Sequence, residues 1–355
     1  MATPAAPLPD AVRTNWVDRH APEALKPWLK LGRFDRPIGI WLLMLPGWSG
    51  IALAGAAAQD LVSEWGYYLS LFVAFGAGAA LMRAAGCAWN DIVDRDIDAR
   101  VARTAGRPIP AGQISVRQAL GFILVCCLVS LAILLSFHIG AVLIGAASLL
   151  LVAAYPFMKR ITWWPQAWLG LTFNWGVLLG FFAAGLGGDP EPWTGWNLLG
   201  WAATGEAGLA LEAAARTLAI LFSPFGWPLW TPALLLYACG VFWTLGYDTI
   251  YALQDIEDDT LVGVKSSARR LGARARTGVF VFYAVAFSLA LAAWWTAQLG
   301  TYALPFLLLF GLHLFNQARR LKLDDPALAL ALFRSNREAG ILLVLALAAG
   351  MWSYS

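Results

Sequence analysis

Charge is scarce in this chain. Only 13% of its 355 residues are Asp, Glu, Lys or Arg, against about a quarter in soluble domains, and that deficit excludes a water-soluble globular fold. Cysteine (four residues) and histidine (three) are scarcer still. Cys87, Cys126, Cys127 and Cys239 sit inside apolar runs, without metal-ligand spacing, so they read as small buried hydrophobes with no disulfide framework. His20, His138 and His313 are remote from every acidic cluster, which removes them as catalytic candidates. The first 30 residues are polar and rich in Pro and Ala. They lack the apolar stretch of a secretory signal, and residues 1–32 read as a flexible cytoplasmic tail with a short amphipathic helix near 24–31.

What the chain has instead is apolar sequence, 59% of the total, with a mean hydropathy of +0.63. Runs of about 18 or more apolar residues recur along its length, the mark of a polytopic membrane protein. We place nine transmembrane helices near 38–57, 66–89, 119–137, 139–157, 168–186, 232–251, 277–297, 302–316 and 339–352, surrounding a central cavity. They make one all-α domain over residues 33–355 and leave no room for a large soluble unit. Of the 25 basic residues, 23 fall in the tail and in alternate connections. By the positive-inside rule these are cytoplasmic, and the C-terminus is external. The longest external segment, 187–231, is rich in Gly, Pro and Trp, and its middle, 206–222, is expected to lie in the interface as a helix. The lipid bilayer is the one partner composition dictates; no nucleic acid is expected.

Nine of the 22 acidic residues lie in two places. The first is Asn90-Asp91-Ile92-Val93-Asp94-Arg95-Asp96-Ile97-Asp98, after the second apolar run. The second is Asp255-Ile256-Glu257-Asp258-Asp259, after the sixth, with Asp248 and Tyr251 just before it. On a helix Asn90, Asp94 and Asp98 share one face with Asp91 beside them, and Asp248, Asp255 and Asp259 share another. Carboxylates gathered on one face repel each other unless a cation neutralises them. Oxygen ligands in number suit Mg²⁺ or Ca²⁺ rather than Zn²⁺ or copper. Two such clusters on one side of the membrane could flank a single diphosphate. Arg83 lies inside the second apolar run, on the Asn90 face, and needs an anionic partner there. Topology alone would explain Lys159, Arg160, Lys265 and Arg107.

These stretches resemble the UbiA prenyltransferase superfamily. Residues 90–98 match its NDxxDxxxD motif and 255–259 its DxxxD motif. Arg36-Pro37-Ile38-Gly39, Arg107-Pro108-Ile109-Pro110, Tyr155-Pro156-Phe157-Met158-Lys159-Arg160 and Gly263-Val264-Lys265-Ser266 are similar to the branch that prenylates 4-hydroxybenzoate in ubiquinone biosynthesis. The resemblance implies transfer of a polyprenyl group from polyprenyl diphosphate to the ring carbon ortho to the phenol. It implies Mg²⁺ held by Asn90, Asp91, Asp94, Asp98, Asp255 and Asp259. Arg160, Lys159, Lys265 and Arg107 would contact diphosphate, and Arg83 or Arg36 the benzoate carboxylate. Asp248 and Tyr251 would line the substrate site. Asp255, Asp94 and Arg160 would carry catalysis, with Asp255 polarising the phenol or taking the proton. The implied location is a bacterial inner membrane or its equivalent. Other aromatic acceptors fit the same motifs, and the rival class is a divalent-cation or proton-coupled transporter. Both acidic clusters lie at one membrane face rather than at mid-depth, which favours the enzyme.

Overall fold

The protein is described here by a computed structural model covering residues 15–100, 104–185, 194–204, 227–256 and 263–353, with a few isolated positions between 208 and 219. Among the described residues it is helical throughout, and its single β-bridge joins His138 to Thr194. Two short helices, α1 (Trp16–His20) and α2 (Lys26–Leu31), precede the long ones. These are α3 (Ile38–Ala58), α4 (Trp65–Asp98), α5 (Val116–Leu134), α6 (Ile139–Ile161) and α7 (Pro165–Ala183). After α8 (Gly195–Thr204) come α9 (Trp227–Ala252), the short α10 (Ser267–Leu271), α11 (Ala275–Thr296), α12 (Ala303–Arg320), α13 (Pro326–Arg334) and α14 (Asn336–Ala349).

Each of the nine expected spans is helical. Six of them, α3, α4, α5, α6, α9 and α11, belong to helices long and apolar enough to cross a membrane, among the described residues. Helices α7, α12 and α14, of 19, 18 and 14 residues, complete the bundle without being such spans. α3 and α9 bury 72% and 61% of their most apolar windows, whereas α5 and α6 bury only 17%. The former are therefore the centre and the latter a rim whose leucines and valines face outward, Leu124, Val125 and Leu128 among them.

Helices without a hydrophobic drive toward each other associate through close backbone approach and buried polar contacts. Both operate here. Where α3 crosses α7, a Cβ added at Gly180 would lie 2.1 Å from the Gly47 carbonyl oxygen. Asn174 of α7 donates to Thr244 Oγ1 of α9 at 2.8 Å, and Trp243 of α9 donates to Asn336 Oδ1 of α14 at 2.8 Å. Tyr283 of α11 donates to Gln317 Oε1 of α12 at 2.6 Å. These contacts tie α3, α7, α9, α11, α12 and α14 into a closed ring, with α4, α5 and α6 on its flank.

Four expectations need correction. The short helix expected near 24–31 is present as α2, but residues 15–31 are not a loose tail. Asn15 caps α1, Trp16 donates its indole N–H to the Phe34 carbonyl at 3.0 Å, and Leu31 is buried with Ala88, Ile109, Ile114 and Ala119. Lys30 pairs with Asp18 at 2.7 Å and holds that carboxyl below its usual pKa. Second, α9 gives way to a 3₁₀ turn at Leu253–Asp255, so the α-helical register linking Asp248 to Asp255 is broken. The side chain of Gln254 folds back to the Tyr251 carbonyl at 3.2 Å, as befits a tightening helix end. Third, α13 is an additional helix between the eighth and ninth spans, capped by Asp325, whose side chain accepts from the Leu328 N–H. Fourth, the sixth span's helix already includes Trp227, ahead of the expected 232. Most of the expected interfacial helix at 206–222 lies outside the described residues.

The α3–α7 crossing yields a direct test. Gly180→Leu forces the helices apart and costs about 1–3 kcal/mol. The detergent-solubilised variant should therefore melt several degrees below the parent. Gly66→Ala, where no neighbour lies within 4 Å of the added carbon, should melt close to it.

Candidate active site

Helix α4 runs unbroken for 34 residues and carries the whole first motif on its last turns. Asp91, Asp94 and Asp98 are 0%, 1% and 6% exposed; Asn90 is half-buried and Asp96 exposed. The buried trio follows i, i+3, i+7, one helical face. Four cations from three segments converge on it. Arg33 Nη2 donates to Asp91 Oδ1 at 2.6 Å. Arg107 Nη1 reaches Asp98 Oδ2 at 2.7 Å and Asp91 Oδ1 at 3.3 Å. Lys159 and Arg160, at the end of α6, both hold Asp94, Arg160 at 3.2 Å.

Each cation is placed by local structure. Arg33 sits at φ 60°, in the left-handed region where non-glycine residues persist only if their surroundings over-determine them. Its own Nη1 donates to the Lys30 carbonyl at 3.2 Å. The turn holding Arg107 is fastened to the α4 end by Thr104, whose hydroxyl donates to the Asp98 carbonyl at 2.8 Å. Lys159 is steadied by Lys265, whose backbone N–H donates to the Lys159 carbonyl at 3.0 Å. The Lys265 ammonium caps the Ile161 carbonyl at 3.1 Å.

Below the motif lies a cavity of about 600 Å³ between α3, α4, α6, α7, α9, α13 and α14. Its aromatic walls include Trp41, Tyr155, Phe173, Tyr247, Tyr251 and Phe333, and its polar groups include Arg36, Arg83, Asp248, Arg334, Arg337 and Glu338. Arg83, Asn90 and Asp94 fall at i, i+7 and i+11 on α4, so the cavity cation and the motif lie along one stripe, with Arg83 about 16.5 Å of helix rise from Asp94 at 1.5 Å per residue. The Arg83 guanidinium stands 5.5 Å over the Phe173 ring, and its buried Nε has no hydrogen-bond partner. A Cβ at Gly39 would lie 2.6 Å from that nitrogen, so glycine is what lets Arg83 into the cavity. Arg36 pairs with the buried Asp35 at 3.0 Å, and Tyr251 packs on Phe333 at 4.6 Å between centroids.

The structure thus brings Arg36, Arg83, Asp248 and Tyr251 into one cavity, and Asp91, Asp94, Asp98, Arg107, Lys159 and Arg160 into one ionic cluster. Asp259 and the side chain of Asp255 lie outside the described residues. Arg33, Tyr155, Phe173, Tyr247, Phe333, Arg334 and Arg337 have no site role in the sequence analysis, although Tyr155 opens one of its motif stretches. Arg33 carries a signal after all, as a cation two residues before Asp35-Arg36-Pro37 at the entry to the first span.

Among the described residues no three acidic, histidine or cysteine side chains converge as a ready-made metal cage. The donor set nevertheless fits a hard divalent cation. Its ligands are all oxygen, and the buried Asp91 Oδ2 has no hydrogen-bond partner.

Comparison with known proteins identifies the family. A profile of the UbiA prenyltransferase family matches residues 43–339. The mitochondrial 4-hydroxybenzoate polyprenyltransferase of Homo sapiens is 40% identical over 334 residues, covering 94% of this chain and 77% of that protein. The Bos taurus protein of the same name is 39% identical over 350 residues, covering 94% and 78%. Among solved structures, an apo UbiA homolog from Aeropyrum pernix K1 shares the fold with a TM-score of 0.62 at 23% identity, over 88% of this chain and 98% of that one. A UbiA homolog from Archaeoglobus fulgidus, bound to GPP and Mg²⁺, superposes with a TM-score of 0.56 at 18% identity, over 91% and 98%. With a family profile spanning most of its length and two relatives near 40% identity that align with 94% of it, the chain belongs to the UbiA prenyltransferase family.

Proposed function

We propose that this protein transfers a polyprenyl group from polyprenyl diphosphate to the ring carbon ortho to the hydroxyl of 4-hydroxybenzoate, releasing diphosphate. The observation that carries the proposal is the stacking, along one stripe of α4, of a carboxylate–cation cluster over an aromatic cavity that contains Arg83, Arg36 and Asp248. One end suits a diphosphate and its metal, the other an aromatic acid.

Asn90, Asp91, Asp94 and Asp98, with Asp255 and Asp259 of the second motif, would hold Mg²⁺. When bound, the metal supplies positive charge that stabilises the departing diphosphate. Lys159 and Arg160, which hold Asp94 in the free protein, would contact the diphosphate oxygens, with Arg107 and Lys265. The allylic C–O bond breaks, the ring carbon forms the new C–C bond, and the displaced ring proton passes to a carboxylate. We assign the phenol to Asp248, which lines the cavity with Tyr251, and keep Asp255 as the base that would take the proton. Arg83 and Arg36 would hold the benzoate carboxylate; the unpartnered Arg83 Nε is a donor ready for it. Residues 33–355 would act as one domain in a bacterial inner membrane or the corresponding mitochondrial one, with the motifs on the positively charged side.

The test is incubation of purified protein with 4-hydroxybenzoate, a polyprenyl diphosphate and Mg²⁺, with and without EDTA, read by product mass. A C-prenylated benzoate that disappears with EDTA is expected. Diphosphate binding in Mg²⁺ without that product would move the acceptor to another aromatic. Cation uptake into vesicles in the absence of any isoprenoid would replace the enzyme by a transporter.

Two variants probe the assignments. Asp94→Ala should lower turnover by about 10²–10³ while the protein still elutes as a folded species; near-parental turnover would remove Asp94 from the machinery. Arg33→Ala leaves the buried Asp91 with only its longer Arg107 contact and should destabilise the metal-free protein by about 3 kcal/mol. Divalent cation added before heating should recover part of that loss.

A further inference from the structure

A second basic recess lies away from the α4 cluster, where the start of α11 meets the end of α12. It encloses about 510 Å³ and is lined by Arg276, Arg319, Arg320 and Lys322, with Asp325 its one carboxylate. Arg276 is spent on structure, donating from Nε to the Ala318 carbonyl at 3.2 Å and from Nη2 to the Arg319 carbonyl at 2.7 Å. Those are terminal carbonyls of α12, the negative end of its dipole. Arg319, Arg320 and Lys322 are exposed and form no ion pair among the described residues. Positive-inside topology explains which side of the membrane they occupy; it does not explain why they line one recess.

Two apolar stripes lead into that recess. On α12, Leu308, Leu312 and Phe315 are 56%, 61% and 50% exposed and continue, at i, i+4, i+7 and i+11, to Arg319. On α11, the exposed Phe280 sits one turn beyond Arg276. The Phe280 and Phe315 rings meet at 6.0 Å between centroids. A cationic mouth over an outward-facing apolar seam between membrane helices has the chemistry of an anionic phospholipid, phosphate above and acyl chain below.

We propose that Arg319, Arg320 and Lys322 bind the phosphate of an anionic phospholipid whose acyl chain runs along Phe280 and Phe315. The site is separate from the prenyl-transfer machinery and depends only on α11 and α12 lying in the membrane. Asp325 weakens it by charge while capping α13 through the Leu328 N–H at 2.9 Å. A basic residue near an anionic leaflet adds roughly fivefold to binding, so three free cations give a measurable preference over zwitterionic lipid.

The test is the thermal midpoint of the detergent-purified full chain in micelles doped with phosphatidylglycerol, with phosphatidylcholine, or with inorganic phosphate alone. Phosphatidylglycerol near saturation should raise the midpoint by about 5 °C, and the other two additions should leave it in place. The double variant Arg319→Gln, Arg320→Gln should lose most of that rise while keeping its parental turnover. Asp325→Asn, which retains the cap, should respond at lower phosphatidylglycerol. An undiminished rise in the double variant, or an equal rise with phosphatidylcholine, overturns the site. A rise reproduced by inorganic phosphate overturns the lipid in favour of a soluble anion. Should the double variant fail to fold, an unshifted lipid response in Asp325→Asn overturns the proposal by itself.

Discussion

Three carboxylates buried within eight residues at the end of one helix cannot stand alone. Removing a charged group from water costs several kcal/mol unless an opposite charge and hydrogen bonds replace the solvent. Arg33 from the entry segment, Arg107 from the turn after α4, and Lys159 with Arg160 from α6 meet that demand for Asp91, Asp98 and Asp94. Three otherwise independent stretches of chain are thereby fixed to α4. The left-handed backbone at Arg33, the Thr104 clasp and the Lys265–Lys159 backbone bond all follow from holding those cations in place. The same charges are what a bound diphosphate and its metal would rearrange. The ionic lock of the free protein and the proposed chemistry of the working one use one set of side chains.

The ring of α3, α7, α9, α11, α12 and α14 answers a different constraint. Its members approach through small residues and exchange single buried hydrogen bonds such as Asn174–Thr244 and Trp243–Asn336. Asn174 also donates to the Gly170 carbonyl of its own helix and Asn336 to the Leu332 carbonyl of α13, which fixes helix rotation without filling the interior with charge. Three members of the ring, α3, α7 and α9, and the start of α14 supply walls of the cavity beneath the motif.

Much of this was legible in the chain. Apolar runs gave each long helix to within a few residues at most ends, and the spacing of Asn90, Asp94 and Asp98 gave an acidic face, although the residue buried with Asp94 and Asp98 is Asp91 rather than Asn90. Arg83 was marked as functional because a guanidinium inside an apolar run has no cheap alternative. What escaped the reading were contacts set by distant packing. The order of residues 15–31 depends on Leu31 and Trp28 meeting α4 and α5, and no local pattern announces that. The cavity residues Phe333, Arg334 and Arg337 belong to a corner between α13 and α14 whose short helix resembles any amphipathic connection. The turn at Leu253–Asp255 broke a register that periodicity alone extends indefinitely. Each miss lies where tertiary contact overrides a local repeat.

The length of α4 has its own consequence. At 1.5 Å per residue its 34 residues span about 51 Å, against a hydrocarbon layer of about 30 Å. Arg83 falls about 27 Å from the Trp65 end, near the far boundary of that layer, and the three aspartates stand beyond it. The helix is a ruler that measures solvent. In the proposed reaction the bond between isoprenoid and phosphate would sit at the boundary where oil becomes water. The leaving group would depart into the aqueous phase while the hydrocarbon chain stayed in the bilayer. The two products would part by solubility, with no moving element needed to separate them.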